Sequence, residues 1–188
     1  MESARQLALL IHEEEQLVRV EEIAGRIISI FKQGSKILIC GNGGSSTDAM
    51  HFAEEFTGRF RQDRSPLPVI ALTDPSHITC VANDYGFTQV FSRAVEAYGQ
   101  AGDLLIAIST SGNSENIINA VNSARDKGMG TITLLGKDGG KLRGKADLEI
   151  IIPAETTDRI QEMHGTLLHI FIELTERVLF PENYPASE

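Results

Sequence analysis

The sequence predicts an α/β fold: a five-stranded parallel sheet in three layers, with helices flanking it at both ends. Three observations lead there. One design occurs twice, in which an apolar, β-rich run delivers the backbone into a loop of small and hydroxyl residues, and the loop opens a helix. Strand-like and helix-like segments alternate along the chain, as in layered α/β domains. Each strand segment is a continuous apolar run, which suits a strand covered on both faces.

From Ser3 to about Lys32, Leu7, Leu10, Ile11, Leu17, Val18, Ile23, Ala24, Ile27, Ile28 and Phe31 recur near helical period. Ser3 and Gln6 resemble a capping box, and Gly34 stops the run. Ile27, Ile28, Ile30 and Phe31 cannot all face one way, so this end of the helix is expected to be buried on two sides and to meet another subunit. Lys36–Cys40 is the first strand, Gly41–Thr47 the first loop and Asp48–Phe56 its helix. Pro68–Leu72 reads as a short buried strand. Asp74-Pro75 starts a helix with proline at its first position, over Ser76–Asn83, and another helix spans about Thr88 to Tyr98. Asp103–Ile108, the loop Ser109–Ser114 and the helix Glu115–Lys127 form the second copy of the design. Strands Thr131–Leu135 and Leu148–Ile152 flank a turn at Lys137–Gly140. A long helix from Thr157 to Leu179 is ended by Phe180-Pro181. No linker divides the 188 residues, so residues 1–188 are expected to form one domain, with 1–33 as a helix packing on it and on neighbouring subunits.

A net charge of -9, without clustered basic and aromatic residues, argues against nucleic-acid binding. No apolar run nears the ~20 residues of a membrane span and no basic-then-apolar leader is seen, so a soluble, cytoplasmic protein is expected. Cys40 and Cys80 match no zinc or redox spacing and read as core residues. Arg59, Arg61 and Arg64, the one basic concentration, read as a solvated or subunit-facing turn.

An acidic protein that binds an anion must build positive potential locally, and helix starts do this with unpaired backbone N–H groups and a partial positive charge. Ser109-Thr110-Ser111-Gly112-Asn113-Ser114 carries four hydroxyls at a strand end. One N-cap explains one hydroxyl and not four, so Ser109, Thr110, Ser111 and Ser114 are candidate phosphate donors. Gly41-Asn42-Gly43-Gly44-Ser45-Ser46 begins like a dinucleotide fingerprint, but Ser46 stands at the third glycine and no suitably placed acidic residue follows. Its glycines suit a compact sugar close to the backbone, with Asn42 offering an amide. His51 and Glu55 share a helix face at i and i+4, as a metal or acid/base pair or as a structural pair. Glu54 reads as solvated, as do most polar residues of the last helix, His164 among them. Gln161 and His169 are eight residues apart, about 12 Å along a helix, and spacing alone does not pair them. Asn83-Asp84 reads as turn chemistry.

Several segments in order resemble the phosphoheptose isomerases, or sedoheptulose 7-phosphate isomerases, of the sugar isomerase (SIS) domain family. They are Cys40-Gly-Asn-Gly-Gly-Ser45, Asp48-Ala-Met-His51-Phe-Ala-Glu-Glu55, Asn83-Asp84, Ile108–Ser114, Thr133–Gly140 and Arg159-Ile-Gln-Glu-Met-His164. Ser46-Thr47 departs from some members without touching a proposed ligand. The resemblance implies a flavodoxin-like sheet, a homotetramer with active sites at subunit junctions and one zinc per subunit, held by His51, Glu55, Gln161 and His169. It implies substrate contacts from Asn42, Gly43, Gly44, Glu55, Asn83, Asp84, Ser109, Thr110, Ser111, Ser114 and Gln161. The implied reaction turns sedoheptulose 7-phosphate into D-glycero-D-manno-heptose 7-phosphate, toward heptose units of lipopolysaccharide and other surface polysaccharide. Glu55 would carry a proton from C1 to C2 through a cis-enediol, and His169 would exchange protons with the oxygens or assist ring opening. A rival reading is a non-catalytic SIS-domain regulator that binds the replication initiator DnaA. Such a protein has no chemical need for Glu55 and His169. An isomerase for a different phosphosugar would carry much the same loops.

Overall fold

Five parallel strands form one sheet in the order β2-β1-β3-β4-β5: β1 (Ile37–Gly41), β2 (Val69–Ala71), β3 (Leu104–Ser109), β4 (Gly130–Gly136) and β5 (Leu148–Ile152). The structure is a computed structural model that describes residues 14–184. The proposed capping box at Ser3 and Gln6 lies outside them. Side chains alternate between the sheet faces, as strand geometry requires. Ile37 and Ile39 of β1, with Ile106 and Ile108 of β3, pack under α1 (Glu14–Lys32), α2 (Gly44–Thr57) and the long helix α6 (Thr157–Leu179). Leu38, Cys40, Leu105 and Ala107 pack under α3 (Pro75–Tyr85), α4 (Val90–Tyr98) and α5 (Glu115–Asp126). These are the three layers expected.

Strand order reverses between β1 and β3, where chain connections leave the sheet in opposite directions and open a crevice beyond the strand ends. Both glycine and hydroxyl loops lie at that crevice. Asp74 caps α3 as expected, accepting from the His77 N–H at 2.7 Å.

Some expectations are corrected. Helix α2 begins at Gly44 and not Asp48, because Gly43 turns the chain at φ +56° and its carbonyl already accepts from the Ser46 and Thr47 N–H groups. The strand at Pro68–Leu72 shrinks to Val69–Ala71 at the sheet edge, where Ile70 is exposed for want of a neighbour on one side. At the broad apolar end of α1, Ile27 and Ile30 are buried within the chain while Ile28 and Phe31 are half-buried, Phe31 meeting the Phe56 ring at 5.2 Å. Cys80 is exposed, on the outer side of α3. Cys40 is buried, and burial pushes its thiol up to about 12.

His164 is also corrected: it is fully buried. Its Nε2–H donates to the Leu135 carbonyl at 3.0 Å, tying α6 to β4, while Nδ1 has no partner. Burial disfavours the imidazolium and pulls the pKa from 6.5 to about 4. Below pH 6.5 the unfolded chain therefore takes up a proton that the folded chain refuses. Stability present above that pH is lost as pH falls toward the folded value, by roughly 3 kcal/mol in all. Urea unfolding at pH 7.5 and pH 5 should show a loss of about 2 kcal/mol from this source, and the difference should shrink by that amount in His164→Met.

Candidate functional site

The crevice is built first by backbone. Gly41 closes the end of β1 so tightly that a Cβ there would lie 2.6 Å from the Ser45 carbonyl oxygen. Asn42 then reaches across to α5 and forms a reciprocal amide pair with Asn116, each Nδ2 donating to the other Oδ1 at 3.0 and 2.8 Å. Asn42 is thus a fixed part of the wall more than a free amide. Asn116, its partner, carries no sequence signal. The loop after β3 leans on the turn after β4: Lys141 N–H donates to Asn113 Oδ1 at 3.1 Å and Leu142 N–H to the Gly112 carbonyl at 3.0 Å.

Within that loop the four hydroxyls differ. Ser109 is buried, and its Oγ accepts from the Gly112 N–H at 3.1 Å, so it shapes the loop. Ser111 Oγ accepts from the Asn113 N–H, which leaves its proton to donate. Ser114 occupies the N-cap of α5 without a side-chain capping bond. Thr110 and Ser111 are half-buried at the rim. An anion at this helix start meets hydroxyls of Thr110, Ser111 and Ser114 with the dipole of α5 behind them.

A second cluster forms where α2 packs on α6. His51 Nε2 lies 2.9 Å from His169 Nε2 and 3.5 Å from Glu55 Oε1. Phe60 stacks on His169 with ring centres 6.0 Å apart. Glu54, read from sequence as solvated, is exposed but sits 3.2 Å from His51 Nδ1. It fixes the ring as the Nδ1–H tautomer, with the Nε2 lone pair aimed at His169 and Glu55. Glu55 is mostly buried, and burial followed by the charge of Glu54 raises its pKa, against the lowering influence of His51 and His169.

The ligand atoms of His51, Glu55 and His169 all lie within 4.8 Å of one another. Two imidazole nitrogens and a carboxylate oxygen are a donor set suited to zinc, and a shared cation lets both Nε2 lone pairs point inward. The residues present fit the metal.

Gln161 lines the same groove as His169. Two turns up α6 from His169, its amide lies over Gly44, whose missing Cβ leaves the space: a Cβ there would be 2.5 Å from Gln161 Nε2. Asn83 and Asp84 are exposed at the end of α3 and bond to each other at 2.7 Å, not to either cluster. A groove of about 510 Å³ between α2 and α6 is lined by Asp48, Asp158, Gln161, Glu162, Gly165, Thr166 and His169 and includes no residue of the Ser109–Ser114 loop. Glu55 lies 11 residues past Gly44, about 16 Å down α2 from the crevice.

The SIS domain profile matches residues 2–136. The chain belongs to the SIS domain family. A phosphoheptose isomerase of Fusobacterium nucleatum is 61% identical over 178 residues, 95% of this chain and 92% of that protein. One from Escherichia coli is 52% identical over 94% of this chain and 92% of its own length. The solved phosphoheptose isomerase of Neisseria gonorrhoeae superposes with a TM-score of 0.84 at 42% identity, covering 92% of this chain and 94% of that one. In this SIS domain the five-stranded parallel sheet stands as the sequence indicated.

Two glycine substitutions separate the roles of the loops. Gly112 has φ +63° and a Cβ there would lie 1.8 Å from the Gly139 carbonyl, so Gly112→Ala should destabilise by about 1–3 kcal/mol or more and raise KM for a phosphorylated sugar. Gly44→Ala meets only the tip of a flexible side chain. It should leave the melting temperature within about 2 °C of the parent while changing turnover through Gln161, measured by thermal melts and steady-state kinetics.

Proposed function

We infer that this chain is an aldose-ketose isomerase that converts sedoheptulose 7-phosphate to D-glycero-D-manno-heptose 7-phosphate. The observation that carries the reading is the convergence of Glu55, His51 and His169 from two helices, in a protein whose relatives are phosphoheptose isomerases. Proton transfer next to a carbonyl needs a carboxylate base and a partner for the oxygens. A raised pKa, from burial, makes Glu55 a stronger base than an ordinary carboxylate. One of its oxygens faces His51, and the other takes the proton from C1 and returns it at C2. His169 lies on the same small cluster to exchange a proton with the sugar oxygens. The ester end is held by Thr110, Ser111 and Ser114 at the start of α5, with Ser109 keeping the loop in shape. Asn42, Gly43, Gly44 and Gln161 form the sugar's floor, and Asn83 and Asp84 complete the contacts.

His51, Glu55 and His169 would hold one zinc per subunit, with Gln161 as the fourth ligand. When bound, zinc supplies Lewis acidity to the sugar's oxygens.

The groove that takes in Gln161 and His169 includes no residue of the ester loop, and the two half-sites are best satisfied if the ester loop of one subunit meets Glu55 and His169 of another. Exposed Leu17, Val18, Met50, Tyr85 and Phe87 are available for such packing, and we propose the homotetramer on that basis. Among the described residues no helix is long and apolar enough to cross a membrane. We place the protein in the cytoplasm, as one domain serving heptose synthesis for lipopolysaccharide. Nothing in the relatives favours the DnaA-binding alternative, and it is set aside.

Supplied with sedoheptulose 7-phosphate in deuterated water, the protein should yield an aldose labelled at C2, detected by NMR. Glu55→Gln should lower turnover at least about 1,000-fold with the oligomer intact. Wild-type turnover in that variant would remove Glu55 as the base.

A further inference from the structure

We propose that Arg64, Glu176 and Tyr184 form a buried positioning brace that sets the Glu55 end of α2 against the His169 face of α6. The turn expected to be solvated is not so at Arg64. Its side chain is 1% exposed and that of Glu176 is fully buried, with Nε donating to Oε1 at 2.8 Å. The remaining guanidinium N–H groups turn to the end of α2. Nη2 donates to the carbonyl of Glu55 itself at 2.6 Å, and Nη1 to those of Phe56 at 2.7 Å and Gly58 at 3.2 Å, with a longer bond to Ser65 at 3.3 Å. The carbonyls of Glu55 and Phe56 belong to the last turn of α2, which lacks helical partners, and a cation is favoured there.

The chain beyond α6 closes the arrangement. Phe180-Pro181 breaks the helix, a short 3₁₀ turn at Pro181–Asn183 follows, and Tyr184 Oη donates to Glu176 Oε2 at 2.7 Å. Asn183 Nδ2 holds the Asp63 carbonyl at 3.1 Å beside Arg64, and the Arg64 guanidinium stands 5.8 Å from the Phe180 ring. Both carboxylate oxygens of Glu176 are thus taken, one by each end of the brace.

A buried ion pair is a poor way to gain stability, since apolar packing of the same volume does as well. It excels at fixed geometry, because the planar fork of arginine aims several N–H groups at once. Here those groups are aimed at the backbone of the proposed base, from an arginine paired to Glu176, two turns along α6 from His169. Arg64, Glu176 and Tyr184 touch no substrate. They act through the placement of Glu55 relative to His169.

This inference rests on the catalytic assignment of Glu55 and His169 given above. The full-length protein is compared with Arg64→Met, Arg64→Lys, Tyr184→Phe and Glu55→Gln. Measured are kcat and KM with sedoheptulose 7-phosphate, zinc affinity by competition with a chelating dye, and thermal melts. In Arg64→Met, kcat and zinc affinity should each fall about tenfold or more, with KM within about twofold, since the ester loop sits on other elements. Lysine keeps the charge but not the fork, so Arg64→Lys should not restore either value. Tyr184→Phe, which loses one hydrogen bond at a half-buried site, should lower both by about threefold. A folded Arg64→Met with kcat and zinc affinity within about twofold of the parent overturns the brace, as does full rescue by lysine. If Arg64→Met does not fold, Tyr184→Phe decides, and unchanged values there overturn it. Glu55→Gln separates the two assignments: if it is inactive while the brace variants are normal, only the brace fails, and if it is active the catalytic assignment fails first.

Discussion

Two helices from distant parts of the chain bring a pair of ring nitrogens to 2.9 Å, and the chemistry proposed for the molecule depends on that approach. His51 on α2 and His169 on α6 cannot both present a proton across such a gap. With Glu54 holding the other nitrogen of His51, the ring offers a lone pair to the seam. Glu55 adds a carboxylate from the next turn. The same seam is packed below by Phe52, Phe56, Leu168 and Phe171, so the apolar core sets the spacing of the polar groups above it.

Topology explains why this cluster is not where a parallel sheet ordinarily places chemistry. Ligands of such sheets collect beyond the strand ends at the switch point, and the hydroxyl loop and glycine turn are there. The helix leaving that turn runs back along the sheet and carries Glu55 to the other end. In the proposed reading, the hydroxyl loop at the start of α5 and the Glu55 cluster far along α2 are two halves of a site. Neither half alone distinguishes binding from turnover. On the proposed function, association of chains is a requirement of catalysis and not an accessory to it.

Strand runs, glycine turns and the hydroxyl loop were legible in the sequence because their signals are local. Apolar runs such as Leu104 to Ile108 have few other uses, and Gly43 and Gly112 mark backbone that other residues resist. The edge position of β2 was not legible, since Pro68–Leu72 is as apolar as a central strand. His51 and Glu55 were visible as an i, i+4 pair, but their partner His169 lies 114 residues beyond Glu55, and no helical period joins α2 to α6. His164 and Glu176 read as surface or went unnoticed, because a polar side chain looks the same in sequence whether water or a buried partner satisfies it. Arg64 shows this most plainly. Asn116 likewise becomes meaningful only when β1 and β3 are neighbours.

The most direct test of a site divided between chains uses two disabled proteins. Glu55→Gln lacks the base, and a double variant Thr110→Ala, Ser111→Ala lacks the ester grip. Each alone should be nearly inactive on sedoheptulose 7-phosphate. Co-expressed and purified as mixed oligomers, they should regain a substantial share of turnover, because some junctions then combine an intact loop from one chain with an intact carboxylate from the other. Mixed oligomers that stay as inactive as their parents at every ratio would contradict the account.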